Sequence, residues 1–478
     1  MIKIRGMTRA TFAITLLLCA LFLSGCTVGP NYKRPNTDVP TGYRVLPPTE
    51  PVVTPATASA QPLGDQKWWE VFQDDQLQKL IRTALQQNFD MRIAATRVLE
   101  AQAQLGITRA NQYPNVRAVG TGTNLHNPAQ GPFPSYGYSI GEITAAASWD
   151  VDFWGKYRRA TEAARANLLA TGWAQQEVNA TLVANVAAAY FQLRELDLEL
   201  DISQKALASR KESLDLTKTL EEHGINSILD VRQAEQLVYT ADAEITDLNR
   251  RIAQQENFLN VLLGNNPGPI SPRGKDLVDQ PHPPLVPSGL PSALLERRPD
   301  IRQSEESLVA ANAQIGVARA AYYPDISLTG SAGFQSASLT NLFSGPTGLW
   351  NFAGNVTQPI FNAGQIRSNV RLAQAQQQEA VLTYQQTIQG AFRDVSDALI
   401  AYQQNQQFRA QEELLANSAE DAAQLSNKRY EAGTTNYLEV LTNQTNYLSS
   451  ELGLAQARLN ELLSLVQIYK ALGGGWQQ

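Results

Sequence analysis

Cysteine is almost absent: the 478 residues hold only Cys19 and Cys26. A disulfide framework or a thiolate metal cluster needs more than that. Histidine and methionine are as scarce, with three of each. His126, His223 and His282 stand far apart, and none belongs to a His-Glu-x-x-His pair. There is no Gly-x-Ser-x-Gly elbow and no phosphate-binding P-loop, and Gly120-Thr121-Gly122 is a lone glycine pair, so no catalytic constellation is legible. The formal net charge of −6 argues against a nucleic-acid partner. Proline is missing from two long blocks, 135–266 and 360–478, although the chain has 24 of them. Proline costs about 3 kcal/mol inside a helix, so these blocks are free to be helical.

The N-terminus reads as an export signal. Lys3, Arg5 and Arg9 precede an apolar run, Ala13–Leu23, too short to span a bilayer. The run ends in Leu23-Ser24-Gly25-Cys26, the pattern of a lipoprotein signal, which predicts cleavage after 1–25 and acylation of Cys26 by an N-acyl and a diacylglycerol chain. Thr27, rather than Asp, at the next position favours the outer membrane. The mature chain then carries no thiol and a single methionine, Met91, its net charge moves to −9, and it contains no run of about 18 apolar residues that would make a transmembrane helix.

The second half repeats the first at an offset of about 210 residues. Gly106-Ile107-Thr108-Arg109-Ala110 and Tyr113-Pro114 align with Gly316-Val317-Ala318-Arg319-Ala320 and Tyr323-Pro324. Asp90-Met91-Arg92 aligns with Asp300-Ile301-Arg302, and Glu222-His223-Gly224 with Glu431-Ala432-Gly433. One module is used twice. The expected organisation is a signal at 1–25, an acylated tether at 26–64, repeat one at 65–270, a proline-rich linker at 271–292 and repeat two at 293–478.

Within the proline-free blocks, Ala, Gln, Leu and Glu dominate. Asn167–Glu222 and Gln365–Glu431 are predicted as nearly continuous helices, the second ~100 Å long. Val178, Leu182, Val186, Tyr190, Leu193 and Leu200 recur at coiled-coil spacings. A long bundle with a dry core would show the same pattern. Ahead of each helical block, residues alternate apolar and polar: Glu142–Phe153, Asp325–Gln335 and, more weakly, Val116–Asn124 and Trp350–Ile360. Period two with aromatics near the ends suits membrane barrel strands, with Asp150 and Asp152 on a wet face and His126–Gly137 and Ser336–Gly348 as loops. Four strands cannot close a barrel, and an open edge is not tolerated in lipid. The chain must therefore assemble, and three copies would give a twelve-stranded barrel on a twelve-helix tube.

Taken together, Cys26-Thr27-Val28-Gly29-Pro30-Asn31-Tyr32-Lys33-Arg34-Pro35, Leu294-Leu295-Glu296-Arg297-Arg298-Pro299-Asp300-Ile301 and the repeat resemble the TolC/OprM family of outer-membrane efflux proteins, in its NodT/OprM-type lipoprotein branch. The resemblance implies an α+β membrane protein. It would be a homotrimer whose twelve-stranded β-barrel continues into a periplasmic α-barrel. Its partners would be a periplasmic adaptor protein, an inner-membrane transporter of the RND type and outer-membrane lipid, with no cofactor beyond the lipid on Cys26. It also implies that the periplasmic end closes where paired helices turn at Gly224 and Gly433. Tyr430, Leu438, Glu439 and Asp230 then form the gate, and Thr442 stands where many relatives carry a further acid. His223, Gly224, Ile225, Gly433 and Thr434 would touch the adaptor. Threefold symmetry would turn one carboxylate into a ring that attracts cations. Equally, Asp230 and Glu439 suit helix N-termini, where acids are favoured by ~0.3–1 kcal/mol, and His223 suits an ordinary exposed turn. The cargo stays open between drugs and other small amphiphiles, metal ions, and polypeptides of a type I secretion system. A periplasmic coiled-coil lipoprotein without a pore is the reading from a different class.

Overall fold

Period-two alternation produces one antiparallel sheet, in the order β1 (Asn115–Asn127), β2 (Tyr136–Asp150), β3 (Asp325–Ser336), β4 (Gly348–Thr357). The computed structural model describes residues 27–45, 63, 66–281 and 291–476. The expected signal at 1–25, the expected lipidation site Cys26, most of the expected tether beyond residue 45, and His282 with the rest of the expected linker to 290 lie outside the described residues.

Register decides what the sheet presents, because directly opposed residues share a face. Val116 faces Ala147, Ala118 faces Ala145 and Gly120 faces Ile143. The same face continues through Ala145–Ala332, Ala147–Gly330 and Trp149–Leu328, then Ala332–Trp350, Gly330–Phe352 and Ile326–Val356. It is apolar across all four strands. The opposite face carries Arg117, Thr121 and Thr123, then Glu142, Ser148 and Asp150, then Gln335, Ser331 and Thr329, then Asn351 and Asn355. Trp350 is 81% exposed and Phe352 and Val356 are nearly as open, so this part of the apolar side is uncovered among the described residues, while Phe343 packs edge-on against Phe334 farther along it.

Strand limits differ from the sequence expectation. The first hairpin zips three residues past Asn124, to Asn127 opposite Tyr136, so the loop is shorter than His126–Gly137. β4 starts at Gly348 and ends at Thr357, two residues ahead of Pro359, which has no N–H to give to a ladder. Asp152 is not a strand residue: its carboxylate accepts from the Arg158 backbone N–H at 2.8 Å and so opens the next helix.

The helices are α1 (Trp68–Val71), α2 (Asp75–Gln87), α3 (Phe89–Ala110), α4 (Lys156–Glu222), α5 (Ile228–Leu262), α6 (Pro291–Arg297), α7 (Pro299–Ala320), α8 (Gln365–Glu431) and α9 (Tyr437–Ala471). α3 and α7 both have 22 residues, α4 and α8 both 67, α5 and α9 both 35. α4 begins eleven residues before the predicted Asn167, directly after Gly155. Asn88, before α3, donates from Nδ2 to the Leu262 carbonyl at 3.0 Å. At the matching place Arg298, before α7, donates to the Ala471 carbonyl at 3.2 Å. In each half the start of a short helix is thus tied to the end of the last long one.

Two compact units result. One gathers residues up to Asn36, Arg97–Gly172 and Gln303–Gln385; the other gathers Thr37–Thr96, Trp173–Arg302 and Gln386–Gln478. The first holds the sheet and the segment following Cys26. That segment has neither helix nor strand, yet it is clamped. Buried Arg159 reaches Asn31 Oδ1 at 2.7 Å and pairs with Glu162 at 2.7 Å. Val28 N donates to the Trp154 carbonyl at 3.0 Å, and Asn312 Nδ2 to that of Pro30 at 3.0 Å. Arg34 and Tyr32 both bind the Glu305 carboxylate. Gly29, with φ at 108°, lies so close to Gly316 that a Cβ would come within 2.5 Å of the Gly316 Cα. No other residue fits there.

The second unit is centred on buried Asp74. It caps α2 through the N–H groups of Gln76 and Leu77, and it also accepts from the Tyr190 hydroxyl at 2.6 Å, the Lys275 N–H at 3.0 Å and Gln280 Nε2 at 2.9 Å. Burial works to raise the Asp74 pKa, but hydrogen bonds from Tyr190, Gln280, Leu77 and Lys275 outweigh it and hold the carboxyl below its usual range. A depressed carboxyl stabilises the fold above its unfolded-chain pKa, and the gain is lost as pH falls through the folded pKa. Asp74→Ala should therefore cost at least ~3 kcal/mol, since it strands several donors. Scans of the purified protein should show its thermal midpoint lowered most near neutrality, with the gap to wild type closing below about pH 4. A gap that stays constant as the pH falls would refute the charge-based account.

Candidate functional site

The two connections between long helices are built on one plan. α4 ends at Glu222, and the Ile225 N–H returns to the Leu220 carbonyl at 2.8 Å while that of Gly224 returns to Glu221 at 2.8 Å. α8 ends at Glu431, with Thr434 N–H on Arg429 at 2.9 Å and Gly433 N–H on Tyr430 at 2.9 Å. Both are Schellman endings, which place the residue after the cap at positive φ. Gly224 has φ 72° and Gly433 φ 69°, and no neighbouring atom crowds either one. Glycine is needed here for backbone conformation, not for space.

The acids that follow diverge. Asp230 completes a capping box: its carboxylate accepts from Ser227 N at 3.1 Å while the Ser227 hydroxyl accepts from Leu229 N at 3.1 Å. Glu439 sits at the same helical position after Asn436, whose side chain accepts from Glu439 N at 3.1 Å. Its carboxylate turns away from the cap. It pairs with Arg429 at 2.7 Å and accepts from the Thr435 hydroxyl. Both partners of the ion pair are well exposed, so its contribution to stability is small.

Tyr430 accepts a hydrogen bond on its hydroxyl from Asn226 Nδ2, joining the start of α5 to the end of α8. Its ring lies 5.5 Å from that of Tyr437. Tyr437 is buried with Leu214, Val231, Ala234, Val238 and Val440 in an apolar cluster shared by α4, α5 and α9, against which Tyr430 and Leu441 pack. Burial is the main cause of the Tyr437 hydroxyl being pushed up to about 12. Leu438, Ile225 and Leu229 are exposed at the turns. Thr442 donates to the Leu438 carbonyl at 2.8 Å, and a ring nitrogen of His223 lies 2.7 Å from the Thr219 carbonyl oxygen. The turn Gly224–Ser227 and the turn around Tyr430 are thus brought together, whereas Asp230 serves its own helix start and Glu439 reaches back to Arg429 at the end of α8.

Sequence reasoning missed Asn226 and Arg429. Arg429 adjoins Tyr430 and was there to be noticed as a cation ten residues before an acid. Asn226 left no such signal, since its partner lies 204 residues away. Among the described residues, no group of three or more His, Cys, Asp or Glu side chains is arranged to hold a metal ion.

Known proteins share this architecture. The family model for outer membrane efflux protein matches two successive segments, 80–265 and 290–474. The probable efflux pump outer membrane protein TtgC of Pseudomonas putida is 36% identical over 474 residues, covering 97% of this chain and 96% of that protein. The cation efflux system protein CusC of Escherichia coli O6:H1 is 36% identical over 460 residues, covering 96% of this chain and 98% of its own length. Among solved structures, the open state of the Neisseria gonorrhoeae MtrE outer membrane channel superposes with a TM-score of 0.84 at 31% identity, over 95% of this chain and 99% of that one. The channel resembles this chain in both its strands and its long helices. With both repeats matched, the chain belongs to the outer membrane efflux protein family.

Proposed function

We propose that the protein is the exit duct of a tripartite efflux pump, passing drugs and other small amphiphiles from the periplasm to the outside. The observation that carries this reading is the four-stranded sheet with one largely apolar face, interrupted toward the loops by Asn124, His126, Ser139 and Ser336, and one largely polar face, its edge strands β1 and β4 having no further strand partner among the described residues. Such a sheet is at home in a membrane only when copies complete it. Three copies of two repeats each close a twelve-stranded barrel with its polar face lining water, and their long helices form the twelve-helix tube below. The partners are a periplasmic adaptor at the turns around His223, Gly224, Ile225, Gly433 and Thr434, and an inner-membrane transporter that supplies the energy. Cys26 carries the lipid. The domain limits are those of the two repeats, 65–270 and 293–478, behind the 26–64 segment.

The relatives' names divide between efflux pumps for organic compounds, in the toluene and solvent systems, and a cation efflux system. The single mature methionine, Met91, and the isolated histidines offer a soft metal cargo few sulfur or imidazole ligands, which favours the amphiphile reading. A strain lacking the gene, tested with and without complementation, should become sensitive to amphiphilic antibiotics, dyes and detergents but not to copper or silver salts. Sensitivity to the metals alone would move the cargo to cations.

The sheet predicts a sharp contrast between neighbours on β4. Phe352→Lys places a charge on the apolar face, at a cost of ~2–4 kcal/mol at mid-membrane depth. It should cut the amount of heat-resistant, membrane-inserted protein severely, while Asn351→Lys should leave it near wild type. Equal effects of the two would contradict the assignment of faces.

The gate of this duct is the Tyr430 turn, where Asn226–Tyr430 joins one helix pair to the other and Arg429–Glu439 fixes the second, with Leu438 exposed beside them, Asp230 on the first turn of α5 and Thr442 on the second turn of α9. Tyr430→Phe combined with Glu439→Ala should raise single-channel conductance in a planar bilayer several-fold. Unchanged conductance would remove both residues from the constriction.

A further inference from the structure

Three arginines are fully buried among the described residues: Arg159, Arg194 and Arg210. Two are neutralised, Arg159 by Glu162 and Arg194 by Asp197 and Asp276. Arg210, on α4 and 4% exposed, pairs with no carboxylate. It makes a single hydrogen bond, from Nη1 to the Leu237 carbonyl at 3.0 Å. A guanidinium has five N–H donors, so most of its capacity is unused. An uncompensated buried cation is strongly destabilising. Burial pushes the Arg210 pKa down, and Tyr437 opposes this only in part.

Arg210 lines a cavity of about 210 Å³ between α4 and α9, together with Lys205, Ser209, Gln444, Tyr447 and Glu451. Gln444 is 8% exposed. Its Nε2 donates to Ser213 Oγ at 3.2 Å and to Asn427 Oδ1 at 3.1 Å, whereas its Oε1 is buried without a partner. Lys205 is exposed and paired with Asp201 at 2.7 Å. Glu451 is the one acid in the lining. Burial raises its pKa, with the Tyr447 hydroxyl opposing and Glu420 and Asp201 adding to the rise. The lining thus sets Arg210, which has no carboxylate partner, and Lys205, which is held by Asp201, against the single carboxyl of Glu451.

We propose that this cavity binds a small oxoanion, either a carboxylate or a phosphate group, which pairs with the unused N–H groups of Arg210 and takes further hydrogen bonds from Ser209 and Lys205. The orphan acceptor on Gln444 suits an oxoanion that keeps one O–H, as hydrogen phosphate does. The bound anion would bridge α4 to α9 about 12 Å along α9 from its N-terminal cap, directly above the apolar cluster that holds the turns. The site follows from Arg210 and the cavity alone and does not depend on the transport reading.

The test is calorimetric titration of the purified full-length protein in detergent, with sodium phosphate and separately with sodium acetate. Ionic strength is held constant with sodium chloride. Wild type should bind saturably and show a raised thermal midpoint. Arg210→Lys should retain weakened binding, and Arg210→Met should lose at least tenfold in affinity. Without ligand, Arg210→Met should melt higher than wild type, because it removes the uncompensated charge. Binding of phosphate alone assigns free phosphate; binding of acetate alone assigns a carboxylate, from an organic acid or an acidic side chain of a partner. Should Arg210→Met fail to fold, Ala206→Phe fills the cavity while leaving Arg210 in place, and it should abolish the response. The proposal is overturned if wild type binds neither anion saturably, or if the variant that folds binds as wild type does.

Discussion

Backbone N–H and C=O groups on the outer sides of β1 and β4 find no strand partner among the described residues. In water such an edge is a liability; in hydrocarbon each unsatisfied group costs several kcal/mol. Much else in the molecule is arranged around that constraint. The apolar side of the sheet is continuous across all four strands, so the sheet has one medium it can face and one it must avoid. The strands occur as two hairpins because the module occurs twice, and the second hairpin pairs directly with the first through β2 and β3. A chain with a single module would offer half the sheet and would need twice as many copies to satisfy the same edges.

Much of this could be read from residues alone, because the signals are local and periodic. Alternation through Glu142–Phe153 located β2, and the absence of proline located α4 and α8. What could not be read is what distant segments contribute to one another. Asp74 looks like an ordinary helix cap. Its other donors come from Tyr190, Lys275 and Gln280, and nothing at those positions announces a shared partner. Strand ends were misplaced for the same reason. How far a hairpin zips depends on whether both strands keep pairing, as Asn127 does with Tyr136, not on whether the alternation stays tidy.

The helical turns show how two copies of one module can put equivalent residues to different structural use. Asp230 and Glu439 occupy equivalent helical positions, yet one closes a capping box and the other reaches out to Arg429. Capping requires only an acceptor near the helix start. Once Asn436 supplies it, the Glu439 side chain is released for other contacts, and the second copy of the module can diverge from the first without giving up its helix.

The docked segment behind Cys26 bears on how the protein would meet its membrane. From Val28 onward it is fastened to Trp154, Arg159, Asn312 and Glu305, leaving Thr27 as the only described residue between those fastenings and Cys26. A residue spans at most ~3.6 Å of chain. An acyl group on Cys26 would therefore hang on almost no slack, and it would act as a depth gauge. The bilayer surface would have to come level with the base of the sheet, at the Trp154–Tyr323 ring pair. Lengthening the leash by inserting residues there would leave the attachment chemistry intact but free the protein to ride at a different height.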